Sequence, residues 1–236
     1  MKKYWIIINS IYDRLLLIFL VIVLLISTYS VYDTWFILDK ASDNSEILKY
    51  KPGLTLGEIL DGDPEILENM KAWITIDNTN IDYPVMQGTD NTVYLNTDPF
   101  GQYSLSGSIF LDSRNKPDFS EEYSLIYGHH LQYGIMFGAL DSFLDADYLK
   151  SHTSGTLTVI TGSRQEPYKL EIFASATVNA KNKTVFEFDN SEQSIREFIK
   201  SNAKVYTTDR DNRILALSTC AEGASLSRVV VFCYII

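Results

Sequence analysis

The chain has 236 residues, of which 46% are apolar and 21% charged, a composition that favours a folded domain over intrinsic disorder. Its 30 acidic and 20 basic residues give a net charge of −10, which argues against a nucleic-acid partner. Two cysteines exclude a disulfide scaffold, a cysteine-rich zinc module and a four-cysteine iron–sulfur site, and three histidines leave little for a histidine metal site. We therefore predict no metal site and no cofactor.

The N-terminus contains an uncharged apolar run from residue 15 to residue 32, long enough as a helix to cross a bilayer. Lys2, Lys3 and Arg14 precede this run and Asp33 follows it. The positive-inside rule then predicts a single-pass cell-membrane protein with residues 1–14 in the cytoplasm and the C-terminal part outside. A cleaved signal peptide is the alternative. Against it, the run is longer than the usual apolar region of a signal peptide, and no Ala-x-Ala-like cleavage site follows it.

Residues 33–72 are predicted to form a connecting helical segment. The sequence Asp63-Pro64-Glu65 is typical of a helix start, since it offers a capping acid, a proline at the first helical position and a second acid near the positive helix end. The stretch from Thr55 to Glu58 has capping-box spacing, which is a weaker signal.

Residues 73–236 are predicted to form a β domain, because short runs of β-branched and aromatic residues alternate with Gly, Asn, Asp and Pro. Eight such strands in about 160 residues indicate a sandwich or a closed barrel. The predicted strands are Trp73–Ile76, Ile81–Met86, Ser108–Leu111, Ser124–Tyr127, Thr156–Thr161, Tyr168–Ala174, Ile214–Thr219 and Arg228–Ile235.

Two helices are predicted within this β domain. One is capped by Asn190 or Ser191, and its apolar face contains Ile195, Phe198 and Ile199. A second, short helix covers Met136–Phe143.

Cys220 ends a predicted strand in which side chains alternate between two faces. Leu215 and Leu217 share the expected core face, whereas Ala216, Ser218 and Cys220 share a small, slightly polar face that could form the floor of a groove. An inert buried thiol is the alternative for Cys220.

Cys233 alternates with valines and isoleucine in the last strand, and we interpret it as a core thiol. A Cys220–Cys233 disulfide would require two adjacent strands in the right register, so it stays open.

The histidines differ in their surroundings. His129 follows a strand end and a glycine, a common way to hold an imidazole above a sheet edge, although a histidine without a role is the alternative. His130 would point elsewhere, and His152 lies in a polar loop where we expect it to be solvated.

Arg228 opens the last strand, where it is either a surface charge or a fixed cation able to stabilise an oxyanion or bind a peptide carbonyl. Cys220, His129 and Arg228 thus each lie at a strand end of a β domain predicted to be outside a membrane. A thiol paired with an imidazole favours acyl transfer through a thioester.

These residues resemble a known family. Tyr127-Gly128-His129, Leu217-Ser218-Thr219-Cys220 and Arg228 with its following valines are similar to the motifs of sortases, except that Ala216 stands where the family has Thr. Further similarity to class B sortases runs through residues 73–85, 94–95 and 107–112 and continues at Met136-Phe137, so that it covers roughly residues 60–235.

The resemblance implies a mainly β fold, a closed eight-stranded barrel with N-terminal helices and a helix before the penultimate strand. It also implies a cysteine transpeptidase that cleaves an Asn-Pro-x-Thr-Gly-like sorting signal after Thr and transfers the acyl group to an amine of cell-wall peptide or of a pilin. In that family Cys220 would be the nucleophile, His129 the general acid and base, and Arg228 the oxyanion or substrate partner. Ser218 and Thr219 would line the substrate site.

Two other interpretations of the sequence are weighed against this one. A membrane-anchored domain that binds peptide or wall polymer without catalysis would leave Cys220 inert. A papain-type hydrolase is disfavoured, because that family places its cysteine early and on a helix, whereas here His129 precedes a strand-end Cys220.

Overall fold

The computed structural model describes residues 2–42, 46–53, 67–190, 193–220 and 226–236, which fall into two compact units, residues 1–40 and 41–236. The first unit consists of most of one helix, α1, which runs from Lys2 to Ser42. Its segment Ile8–Phe36 is long and apolar enough to cross a membrane, and it contains the span predicted at residues 15–32. The same properties also fit a signal sequence, so the helix supports a membrane anchor without deciding its orientation.

The described part of the second unit contains nine strands. They are β1 (Met70–Ile76), β2 (Asp82–Met86), β3 (Ile109–Leu111), β4 (Tyr123–Gly128), β5 (Ser154–Thr161), β6 (Arg164–Asn179), β7 (Val205–Tyr206), β8 (Arg213–Thr219) and β9 (Ser227–Ile235). Eight correspond to the predicted strands, and β7 was not predicted.

The strands form one sheet in the order β5-β1-β2-β3-β4-β8-β9-β6-β7. Because β5 also pairs with β6, the first eight strands of this order close into a barrel and β7 extends β6. The β2–β3 and β4–β8 pairs are parallel, and the others are antiparallel. The predicted eight-stranded closed barrel is therefore confirmed.

The barrel interior is filled by alternate side chains of all eight closing strands. Ile74 in β1, Ile126 in β4, Leu217 in β8 and Cys233 in β9 belong to this core, and all four are buried. Alternation along each strand sends the intervening side chains to the outside, where other elements cover most of them.

In the part of the chain that the structure describes, three short α-helices accompany the barrel: α2 (Ala146–Ser151), α3 (Lys183–Phe186) and α4 (Ile195–Asn202). The predicted helix around Ile195 is thus present before β8, but the prediction of its cap was wrong. Its N-cap is Ser194, whose side chain accepts from the backbone of Glu197 while the Glu197 carboxylate accepts from the backbone of Ser194. The helix predicted at 136–143 is a 3₁₀ helix, Phe137–Leu144.

The predicted helical segment at residues 33–72 is only partly described. α1 extends to Ser42, a 3₁₀ turn covers Ile47–Tyr50, and β1 begins at Met70, three residues before the predicted strand. Both predicted helix-start signals, Asp63-Pro64-Glu65 and Thr55 to Glu58, lie outside the described residues.

Candidate active site

Three neighbouring strands meet at one end of the barrel, with β8 in the centre, β4 on one side and β9 on the other. The parallel β4–β8 ladder ends with Gly128 beside Thr219. One residue further, the Cys220 N–H donates to the Gly128 carbonyl at 2.7 Å, so the backbone ladder extends to Cys220. Since parallel strands keep their alignment, His129 is the next residue of β4's chain beside Cys220.

The antiparallel β8–β9 ladder places Arg228 on the other side of Cys220. Its last paired residues are Ser218 and Val230, and the Thr219 side-chain hydroxyl accepts from the Val229 N–H at 3.1 Å. Continuing this register by two residues sets Cys220 opposite Arg228. Residues directly opposite in an antiparallel pair direct their side chains to the same face, so this register directs the Cys220 thiol and the Arg228 guanidinium to one face.

Arg228 is half-buried and is held in part by its own strand, because one guanidinium nitrogen donates to the Ser227 carbonyl at 3.0 Å. Its charge acts on Cys220, whose pKa it lowers. The Arg228 charge is therefore close enough to the Cys220 thiol to act on its pKa.

His129 is fixed by two backbone hydrogen bonds. Its Nε2 lies 2.8 Å from the Leu95 carbonyl oxygen, and its own carbonyl accepts from the Phe137 N–H at 2.9 Å. The residue before it must be small, since a Cβ on Gly128 would collide with the Ile109 and Phe137 side chains. This explains the glycine of the predicted Tyr-Gly-His motif.

Cys220 lies on the outside of the barrel and is partly exposed. It packs at the border of an apolar group that we call the outer cluster, which covers the outer face of β1–β3. The outer cluster consists of Ile47, Leu67, Met70, Trp73, Met86, Tyr94, Phe110 and Ile160.

Burial raises the pKa of the Cys220 thiol to about 12, although the Arg228 charge and a backbone hydrogen bond of Gly128 lower it part of the way. The resting thiol is consequently protonated at neutral pH. Any nucleophilic step must therefore remove this proton, and the imidazole of His129, the residue that follows Gly128, is the candidate base.

The two predicted substrate-lining residues are both buried. Ser218 is fully buried and its hydroxyl donates to the Thr219 carbonyl, while Thr219 joins β8 to β9. Ala216, on the same face as Ser218 and Cys220, packs under α3 and α4 rather than in an open groove. Of this face, only Cys220 is partly exposed. Because Ser218 and Thr219 are buried, their contact with substrate stays a prediction.

Tyr127 is a neighbour of the site to which the sequence analysis gave no role. It contacts the outer cluster as Cys220 does, and its hydroxyl donates to Asp112 at 3.0 Å. Arg114 binds the two carboxylate oxygens of this fully buried Asp112 at 2.8 and 2.7 Å, and Asn91 adds a further bond. Because burial and the Asp112 charge raise the pKa of Tyr127, it remains a neutral donor beside the thiol.

The other cysteine and histidines lie apart from the site. Cys233 is buried in the barrel core as predicted, and both cysteines are free, which rules out the disulfide in this structure. His130 pairs with Asp141 at 2.7 Å, so it points elsewhere as predicted. His152 was expected in solvent, but it is half-buried and stacks on the Tyr148 ring at a centroid distance of 3.9 Å, which makes that prediction wrong.

The sortase domain family model matches residues 74–236, a span that includes Cys220, His129 and Arg228. The chain belongs to the sortase family. Members of this family are cysteine transpeptidases, which favours an enzyme over the non-catalytic binding domain.

Two relatives of this sortase are class B enzymes. Sortase B of Listeria monocytogenes is 36% identical over 162 residues, 65% of this chain and 63% of its own length, so the match leaves more than a third of that protein uncovered. Sortase B of Staphylococcus aureus is 28% identical over 235 residues, covering 93% of this chain and 94% of its own.

Solved structures agree with this assignment. A Streptococcus pyogenes class B sortase involved in pilus biogenesis is 34% identical with a TM-score of 0.65, covering 79% of this chain and all of its own. A Staphylococcus aureus sortase B–substrate complex is 25% identical with a TM-score of 0.62, covering 72% of this chain and 80% of its own. A sortase B complexed with triglycine is 28% identical with the same TM-score, covering 72% and 81%.

Proposed function

We propose that this sortase cleaves a sorting signal through a thioester on Cys220 and passes the acyl group to an amine. The observation that supports the proposal is the order of β4, β8 and β9, in which the strand ends that carry His129 and Arg228 flank the strand end that carries Cys220. A nucleophile and a proton carrier are groups that acyl transfer uses, and a cation is one of the groups that can stabilise its oxyanion.

In the first half-reaction, the Cys220 proton passes to His129 and the sulfur attacks the scissile carbonyl carbon. The C–N bond then breaks, His129 protonates the leaving amine, and the acyl group remains on sulfur. In the second half-reaction, an incoming amine attacks the thioester, His129 accepts its proton, and the C–S bond breaks to release product and thiol. As the C–S bond breaks, His129 gives this proton to the Cys220 sulfur, so every proton of the cycle is accounted for.

Arg228 would stabilise the negative oxygen of the tetrahedral intermediates or hold the substrate carbonyl. Its guanidinium stays cationic at any physiological pH, and its backbone hydrogen bond to Ser227 limits its movement. Lowering the pKa of the Cys220 thiol is a second effect of the same charge.

We further propose that the substrates carry an Asn-Pro-x-Thr-Gly-like signal and that the acceptor is an amine of cell-wall peptide or of a pilin. The substrate and triglycine complexes of related sortases support peptide and amine ligands. The apolar helix α1 would hold the enzyme in the membrane, with the barrel outside the cell according to the charges flanking the helix.

The experiment is cleavage of a fluorogenic sorting peptide by the full chain in detergent, with and without triglycine, followed by mass spectrometry of the products. We expect cleavage, a triglycine adduct when the amine is present, and a thioester on Cys220 before it is added. Cys220→Ala, His129→Ala and Arg228→Ala should each reduce turnover by on the order of a thousandfold. His130→Ala, in the adjacent position, is the matched control and should remain active.

Full activity of Cys220→Ala would remove the mechanism. Normal cleavage by Arg228→Ala would show only that its assigned role is wrong.

A further inference from the structure

The position of His129 is set by a backbone atom rather than by a side-chain carboxylate. Its Nε2 is 2.8 Å from the Leu95 carbonyl oxygen. A carbonyl oxygen has no proton to donate, so Nε2 must be the donor in both the neutral and the charged form of the ring. Nδ1 is then the nitrogen that can gain and lose the catalytic proton.

We propose that the Leu95 carbonyl is the orienting partner of His129 and that Gly107 is the positioning residue that keeps this carbonyl in place. The proposal rests on the proposed function, in which His129 carries protons between Cys220 and the substrate amines. A base with a fixed tautomer transfers protons from one defined nitrogen, which is the role that an aspartate or asparagine has in other nucleophile–histidine sites.

Gly107 lies directly against this carbonyl. It has a φ of +56°, and a Cβ at this position would collide with the carbonyl oxygens of both Leu95 and Tyr94. The next residue is bonded to the same segment, since the Ser108 N–H donates to the Tyr94 carbonyl at 3.0 Å and its hydroxyl donates to the Thr97 carbonyl at 2.7 Å. Any side chain at 107 must therefore displace the carbonyl that binds His129.

The chain offers a matched control in the same loop. Gly101 has a φ of +82°, but a Cβ built on it has no neighbour within 4 Å in the part of the chain that the structure describes. Gly101→Ala thus carries the backbone strain of a left-handed residue without moving Leu95. The difference in kcat between Gly107→Ala and Gly101→Ala therefore reports the effect of displacing the Leu95 carbonyl.

The test compares both variants with the wild type in steady-state kinetics of the full chain. We expect kcat of Gly107→Ala to fall on the order of a hundredfold, because small displacements of a catalytic group have effects of that size, while KM stays within about twofold. Gly101→Ala should keep the wild-type kcat. Equal kcat values for the two glycine variants, with His129→Ala still inactive, would overturn this inference and leave the proposed function intact.

A second measurement determines the tautomer of His129 directly in the wild-type protein. In wild-type protein labelled with ¹⁵N in its imidazoles, we expect neutral His129 to be the Nε2–H tautomer, assigned by the signals lost in His129→Gln. In Gly107→Ala we expect a mixture of tautomers, which a merely structural effect on the outer cluster would not produce. A neutral Nδ1–H tautomer in the wild type would overturn the assignment.

Discussion

The two cysteines show how one barrel treats the same side chain in two ways. Cys233 lies among apolar core residues, and burial alone raises the pKa of its thiol. The pKa of Cys220 is also raised by burial, but Arg228 and the Gly128 backbone oppose that effect. The barrel interior of this sortase therefore keeps the Cys233 thiol buried. The Cys220 thiol instead lies at the end of β8, between the strand ends that carry His129 and Arg228.

The largest effect should come from exchanging each cysteine for alanine. We expect Cys220→Ala to abolish peptide cleavage with little change in the free energy of unfolding, since this side chain lies at the border of the outer cluster. Cys233→Ala should keep its activity but lose about 1–2 kcal/mol of stability, because it leaves a small void in the barrel core. Peptide cleavage and urea unfolding, measured on both variants, check this.

Each variant is the control for the other. The comparison between the two thiols fails if Cys233→Ala abolishes cleavage in a protein that is still folded.

A smaller effect, on the free energy of unfolding, is expected from Asp112, the buried carboxylate that accepts a hydrogen bond from Tyr127. Burial raises the pKa of Asp112, but hydrogen bonds and the charge of Arg114 more than offset this and hold it below its usual range. Its contribution to stability is therefore present above the unfolded pKa of about 4 and is lost as the pH falls through the lower folded value.

We expect Arg114→Ala to lose about 2–3 kcal/mol at pH 7, less than for a fully buried pair because the Arg114 side chain is 47% exposed. Without the guanidinium, burial is the main influence on the pKa of Asp112 and raises it, so this carboxyl takes up its proton at a higher pH than in the wild type. The loss relative to wild type should then shrink as the pH is lowered towards 4, as urea unfolding at each pH would show. A loss that does not depend on pH would contradict the role given to the Asp112 charge.

The alternating residues of the sequence predict the barrel strands well, because alternation is a direct consequence of one face being buried. The two-residue β7 carries no such pattern. β6 begins at Arg164, four residues earlier than predicted, because its first residues lie in an exposed hairpin with β5, where charged residues and Pro167 suggest a loop. The alternation of apolar and polar residues thus predicts which residues are buried more accurately than it predicts where a strand begins or ends.

For the site, the sequence places Cys220, His129 and Arg228 at strand ends but does not pair those strands. Alternation assigns a residue to a face, and only the parallel β4–β8 and antiparallel β8–β9 ladders show that the three ends are adjacent. The Leu95 carbonyl could not have been predicted, since every residue has a carbonyl. The burial that raises the Cys220 pKa likewise depends on outer-cluster residues from distant parts of the chain.

The smallest expected effect is that of the Arg228 charge on the rate at which the Cys220 thiol is alkylated. Because only the thiolate reacts, inactivation of the wild type by iodoacetamide should keep accelerating with pH beyond 9, as expected for a thiol whose pKa is about 12. Arg228→Ala removes a charge that lowers this pKa, so its inactivation at a fixed pH should be slower, by about tenfold for each unit of pKa gained.

Arg164→Ala is the matched control, because it removes the same charge from an exposed position at the start of β6, and it should react at the wild-type rate. Labelling is located by mass spectrometry, and Cys233 should stay unmodified while the protein is folded, since its thiol is fully buried. A wild-type rate that levels off near pH 7 would mean that the site already stabilises the thiolate and that the proton need not pass to His129. Equal rates for the two arginine variants would mean that the difference between the thiols comes from exposure alone.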